Sequence, residues 1–149
     1  RQAHKAGMNA ANGAKVAPMV VTEDPDMLPA GKKPQTWVVD DGPCGFAWVE
    51  IHPANCAFAK WLQVKANTKG GWEGHGLVNG AWGGVDFGIY KGRRGLTLST
   101  HLFNQGITRK AKYCGAFADV LHEEANRRNN QISSSITGIK SVYASSRLD

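Results

Sequence analysis

Apolar positions recur with two different periods along this 149-residue chain, and the switches between the periods mark out its elements. Gly45 to Ile51 (GFAWVEI) is rich in aromatic and β-branched residues with apolar positions alternating, which predicts a strand that His52-Pro53 ends. Pro53 suits the first turn of a following helix. Phe58, Trp61, Leu62 and Lys65 then follow at helical spacing, predicting an amphipathic helix over residues 54–66 with its aromatic side buried. Residues 67–84 are dense in Gly and Trp and read as a long loop or irregular hairpin arm. Val85 to Tyr90 returns to period two, Lys91-Gly92-Arg93-Arg94-Gly95 reads as a hairpin turn, and Leu96 to Phe103 as its partner strand. Asn104-Gln105-Gly106 closes that strand. With Thr108 as cap, Ala111, Cys114, Phe117, Ala118, Leu121 and Ala125 trace the most regular helix of the chain, ended by Arg127 and Arg128. Ile139 to Ser146 reads as a final strand.

Residues 1–36 show little periodicity. Ala, Gly, Asn and Lys dominate to Lys15, and Pro18, Pro25, Pro29 and Pro34 follow. Proline lacks a backbone donor and restricts its predecessor, so this stretch is expected to be an extended, irregular arm or linker. Within it Met19-Val20-Val21 is apolar enough to dock or to pair with a sheet edge. Trp37-Val38-Val39 reads as a brief strand closed by the turn residues Asp40-Asp41-Gly42-Pro43. The expected organisation is therefore an arm over residues 1–36 and a single domain over residues 37–149. The fold class is α+β, with β-α-β-β-α-β order. That order is that of the ferredoxin-like plait, an antiparallel sheet with two helices on one face.

Alternation also assigns the two faces of that sheet. Ala47, Val49, Ile51, Val85, Phe87, Ile89, Leu96, Leu98, Val142 and Ala144 are expected to point at the helices. Phe46, Trp48, Glu50, Asp86, Tyr90, Thr97, Ser99, His101, Ser141, Tyr143 and Ser145 are left for the other face. Aromatics on an uncovered sheet, with Lys91, Arg93, Arg94 and Arg147 at its rim, are what RNA-recognition modules use to stack bases. The likeness is one of architecture, because Gly84 to Tyr90 matches the sequence consensus of those modules poorly. Met19, Val20, Val21, Met27, Leu28 and Trp37 of the arm, or a second copy of the chain, are the alternative cover for this face.

Charge sharpens the picture. The formal net charge is +6 and the calculated pI about 9.4. Six acids lie between Glu23 and Glu50 against Lys32 and Lys33, whereas nine bases lie between Lys60 and Lys112 against Glu73 and Asp86. A basic body favours a polyanionic partner. Arg109, Lys110 and Lys112 open the long helix at the end where carboxylates are preferred, as if to display positive charge. No apolar run of about 18 residues is present to form a membrane-spanning helix, and residues 1–17 lack the apolar stretch of a secretory signal. Cys44, Cys56 and Cys114 are too few and too irregularly spaced for a disulfide framework, and there is no C-x-x-C pair for zinc.

Catalytic patterns are thin. No P-loop occurs, and the glycines of residues 70–84 fit no dinucleotide fingerprint. His52, His75 and His101 with Asp40 and Asp41 are the only candidates for a metal-dependent hydrolytic site, without supporting spacing. Cys44 in Gly42-Pro43-Cys44-Gly45 is the sole candidate thiol nucleophile. The sequence therefore assigns no catalytic residue, no metal and no cofactor. The segments Cys44-Gly45-Phe46-Ala47-Trp48-Val49, Phe58-Ala59-Lys60-Trp61, Thr108-Arg109-Lys110-Ala111 and Ser146-Arg147-Leu148-Asp149 are similar to small accessory proteins of tailed bacteriophages, over residues 40–149. The resemblance implies a phage origin and a setting in the host cytoplasm or the virion, and carries over no activity. The expected function is nucleic-acid binding, with affinity from Lys91, Arg93, Arg94, Arg109, Lys110, Lys112 and Arg147 and stacking from Phe46, Trp48, Tyr90 and Tyr143. The alternative is a virion or host-interaction protein, a structural subunit or an inhibitor of a host enzyme or defence system, that grips a phage or host protein with the N-terminal arm and the Gly/Trp-rich residues 70–84; Trp72 and Trp82 suit interface anchors, since Trp is enriched in binding hot spots.

Overall fold

The computed structural model describes residues 2–65, 72–75, 87–91, 95–100, 102–103, 106–131 and 138–148, and gives the backbone alone at residues 65, 72–75, 87–91 and 128–131. The fold is α+β. It comprises α1 (Gln2–Asn12), β1 (Met19–Thr22), a 3-10 turn (Pro25–Met27), β2 (Thr36–Val39), β3 (Gly45–His52), α2 (Ala57–Lys65), β4 (Trp72–His75), β5 (Phe87–Lys91), β6 (Leu96–Thr100), α3 (Ile107–Gln131) and β7 (Ser141–Leu148).

Five strands form one antiparallel sheet in the order β4-β5-β6-β3-β7, and β1 and β2 form a separate antiparallel pair. The sheet has one strand more than expected, because Trp72–His75 in the Gly/Trp-rich stretch pairs with β5. The rest of that stretch, including Trp82, lies outside the described residues, as do Arg93, Arg94 and His101.

β3 and β6 show why the sheet sits as it does. Ala47, Val49 and Ile51 are buried while Phe46, Trp48, Glu50 and His52 are not, and Leu96, Leu98 and Thr100 are buried while Thr97 and Ser99 are not. The period of two thus turns one face toward the helices. Those inward residues share a single core with Ala59 and Leu62 of α2 and Tyr113, Cys114, Phe117 and Ala118 of α3. Fully burying a Leu, Ile, Val or Phe stabilises by about 1.5–3 kcal/mol each, so this layer contact dominates the fold's stability. Ala144, expected inward, does lie opposite Val49, yet it is exposed. β7 is the last strand of the sheet, and of its inward positions only Val142 is buried.

Helix α2 corrects the expected orientation of one of its aromatics. Leu62 and Ala59 face the core and Phe58 packs against it, whereas Trp61 stays 41% exposed and stacks on Phe58 at 5.7 Å. Helix α3 starts at Ile107, placing Thr108 inside its first turn. The Ile107 N–H is satisfied from outside the helix, donating to the Pro43 carbonyl at 3.1 Å.

The largest departure is at the N-terminus. Residues 2–12 are helix, not extended chain. Gln, Ala, Lys and Met are strong helix formers, and Ala3, Gly7 and Ala11, four residues apart, make a flat stripe that is buried against α3. A Cβ at Gly7 would lie 2.7 Å from the Tyr113 ring, so glycine sets how closely the two helices approach. His4 Nδ1 meets the Tyr113 hydroxyl at 2.8 Å, and burial lowers the His4 pKa from its ordinary value. Beyond α1 the chain forms the β1–β2 ribbon. Met19 pairs with Val39 and Val21 with Trp37 on one face, Val20 with Val38 on the other. Val20, Val21, Trp37 and Val38 are all exposed, so these residues do not serve as the alternative cover for the sheet face.

Candidate functional site

The face of the sheet away from the helices carries the most concentrated chemistry among the described residues. On β3 it presents Phe46, Trp48, Glu50 and His52, and on β7 Tyr143, Ser145 and Arg147. Cross-strand partners share a face, and the register sorts these residues into rows. Glu50 lies opposite both Thr97 and Tyr143, Trp48 opposite Ser99 and Ser145, and Phe46 opposite Arg147. The Glu50 row continues through Thr97 to Tyr90 and on to Trp72 by backbone register.

Glu50 is the hub. Its Oε1 accepts the Trp48 indole N–H at 2.9 Å, and its Oε2 accepts the Tyr143 hydroxyl at 2.5 Å and lies 3.1 Å from His52 Nε2. The His52 ring stacks on the Tyr143 ring, with centroids 5.5 Å apart and planes 11° from parallel. The Gly95 backbone also lies beside the imidazole, where a Cβ would come within 2.7 Å of the ring, so glycine there leaves it room. The Tyr143 hydroxyl, opposed by burial and helped by Trp48 and His52, holds the Glu50 carboxyl below its ordinary value. The same bond, with burial, raises the Tyr143 phenol. Donors that favour the charged carboxylate produce this pattern, so Glu50 is an anion that fixes the rotamers of Trp48, Tyr143 and His52.

Phe46 forms a second, cationic cluster. The Arg147 guanidinium stands 5.6 Å from its ring centroid and the Lys110 ammonium 5.9 Å from it. The two cations differ in role. Arg147 is exposed. Lys110 is buried and donates to the Gly45 carbonyl at 3.3 Å, so it is a structural lysine joining α3 to the start of β3. Expected as a displayed phosphate contact, Lys110 is instead buried and hydrogen-bonded inside the fold. Arg109 and Lys112 are exposed on α3, in the helix layer behind the sheet.

The aromatics are available to different degrees. Phe46 is 44% and Tyr143 45% exposed, while Trp48 is half-buried by its bond to Glu50. Tyr90, Lys91 and Trp72 are placed by backbone alone. The structure therefore brings together Phe46, Trp48, Tyr143 and Arg147 of the expected residues, and sets Arg109 and Lys112 apart from them.

Two members of the site carry no role in the sequence reading beyond the outer-face position of Glu50 and the metal-ligand candidacy of His52. Extending the Phe46-Trp48-Glu50 alternation by one step points to His52. Asp40 and Asp41 do not join His52, and no group of three His, Cys, Asp or Glu able to hold a metal occurs among the described residues. Cys56 and Cys114 are buried free thiols, Cys44 is partly buried, and burial pushes the Cys114 pKa up to about 12, away from nucleophilic chemistry. No described helix is long and apolar enough to cross a membrane. Comparison with known proteins finds no matching family model, no matching curated protein and no matching solved structure.

Proposed function

We propose that this chain is a non-enzymatic accessory protein of phage type, acting in the host cytoplasm or the virion, that binds single-stranded nucleic acid on the outer face of its five-stranded sheet. The observation that carries the reading is the pair of half-exposed rings, Phe46 and Tyr143, on one sheet face with the Arg147 guanidinium beside Phe46. Rings so placed offer bases a stacking surface, and an exposed guanidinium offers phosphates a counter-charge. The net charge of +6 supports it. Glu50 restricts the mode of binding, since a fixed carboxylate at the centre of the face repels phosphate and favours bases over backbone there. The body is read as a ferredoxin-like plait with an added edge strand; the order β5-β6-β3-β7, with α2 and α3 in the crossovers, supports that reading.

The test is fluorescence anisotropy of labelled single-stranded DNA, RNA and duplex DNA across a salt series. Single-stranded ligands are expected to bind more tightly than duplex, and Phe46→Ala and Tyr143→Ala each to lose about 1–3 kcal/mol, roughly 5- to 150-fold. Binding that follows salt but ignores both rings would reject the stacking face; no binding at low salt would reject the reading.

A second reading has its own observation. The β1–β2 ribbon exposes Val20, Val21, Trp37 and Val38 together. A phage or host protein gripped there would co-purify with the chain and be lost in Trp37→Ala with Val38→Ser, without sensitivity to salt.

A further inference from the structure

We infer that β7 is a self-pairing edge through which two copies of this chain join their sheets into one. β7 closes the sheet beyond β3, and among the described residues no strand pairs with its outer side. Its pairing with β3 runs without a bulge from Gly45 opposite Leu148 to His52 opposite Ser141. Proteins usually blunt such an edge with Pro, Lys, a bulge or a very short strand. β7 has none of these over eight residues, and its one charge is Arg147. Only Val142 along it is buried; Leu148 on the helix side is 64% exposed.

The strand is also complementary to itself. Residues directly opposite in an antiparallel pair share a face, so a twofold pairing that keeps the helices of both copies on one side must be centred on a residue. Centring on Ser145 sets Val142 against the second copy's Leu148 and Tyr143 against its Arg147, with small Ala144 against Ser146. Apolar then meets apolar on the helix side, covering Leu148, and a ring meets a guanidinium on the outer side. Centring one residue earlier sets Val142 against Ser146 and leaves Leu148 uncovered. The Ser145 register therefore commits the occupant to a second copy in one geometry: ten strands, all helices on one side and two Phe46–Trp48–Tyr143 patches on the other. The inference does not depend on what those patches bind.

Sedimentation equilibrium of the full chain over a concentration series tests it. A monomer–dimer equilibrium is expected. Leu148→Lys, at a site already open to solvent, is expected to raise the dissociation constant at least about tenfold, which is about 1.4 kcal/mol. Ser145→Cys would place two thiols opposite each other within disulfide reach, and is expected to give a reducible covalent dimer that neither wild type nor Ser141→Cys forms. Circular dichroism checks that each variant is folded, and the cysteine arm stands whether or not Leu148→Lys folds. A wild type that is monomeric at every concentration overturns the inference. So does a dimer that Leu148→Lys does not weaken and Ser145→Cys does not capture.

Discussion

One carboxylate organises the outer face of the sheet. Glu50 accepts from Trp48, Tyr143 and the His52 imidazole, so three side chains of quite different chemistry share one anchor. Its lowered pKa links that anchor to pH. A carboxyl whose folded value lies below the unfolded value contributes stability that is complete above the unfolded value, here near 4.5, and is lost as pH falls through the folded one. Wild type is therefore expected to lose more thermal stability than Glu50→Gln between about pH 6 and pH 3, the two melting curves converging at the acid end. Equal losses would mean that the Glu50 bonds carry no stability. The outward position of Glu50 was legible in the alternation of its strand. Its role was not, because the partners that define it, Tyr143 and His52, come together only when β7 pairs with β3 across 91 residues of chain.

At the scale of elements, the same substitution is expected to act with opposite sign at two glycines. Gly7→Ala drives a methyl group into the Tyr113 ring at 2.7 Å and toward the Tyr113 carbonyl at 3.0 Å, prising α1 from α3. Gly115→Ala on α3 meets nothing within 4 Å, and replaces a costly helical glycine with the best helix former. Urea unfolding should show Gly7→Ala less stable by about 1–3 kcal/mol and Gly115→Ala more stable by about 0.5–1 kcal/mol. These positions also explain what the sequence concealed. β3 and β6 were readable because apolar and polar residues alternate along them, and β7 less so, since only Val142 along it is buried. α1 was not, since it docks through Ala3, Gly7 and Ala11, a stripe of small residues that barely registers as hydrophobic. α2 was legible with its Leu62 and Phe58 side toward the core, but Trp61 lies outside it because Ala59 fills the space beside Leu62. The added edge strand β4 lies in a Gly-rich stretch where side-chain alternation gives no signal.

Across the whole molecule, charge and its availability separate. The start of α3 displays two of its three cations, Arg109 and Lys112. Lys110 is buried against Gly45 and Phe46 instead, and Arg147, from the opposite end of the chain, is the exposed cation beside the same ring. On the nucleic-acid reading, Arg147→Ala should lower the slope of log affinity against log salt by about one, uniformly across sequences. Lys110→Met should leave that slope unchanged while lowering thermal stability, because its buried ammonium neutralises no phosphate and so releases no counterion. Anisotropy titrations at several salt concentrations, with melting curves for both variants, check the pair; a slope change in Lys110→Met would reassign that lysine to the binding surface.

The path of the chain through the β1–β2 ribbon has a further consequence. A Cβ at Gly42 would lie 3.1 Å from the Ala17 carbonyl and 3.2 Å from Val16, so the ribbon leaves the body and returns to it at nearly the same point. Everything between is an excursion whose two stems already touch. A short turn joining them would close the gap at little entropic cost, leaving α1 on α3 and β3 in its sheet. The ribbon is thus a detachable module. Exchanging it for a ribbon of different reach is therefore expected to leave the core folded, which circular dichroism of the exchanged chain checks.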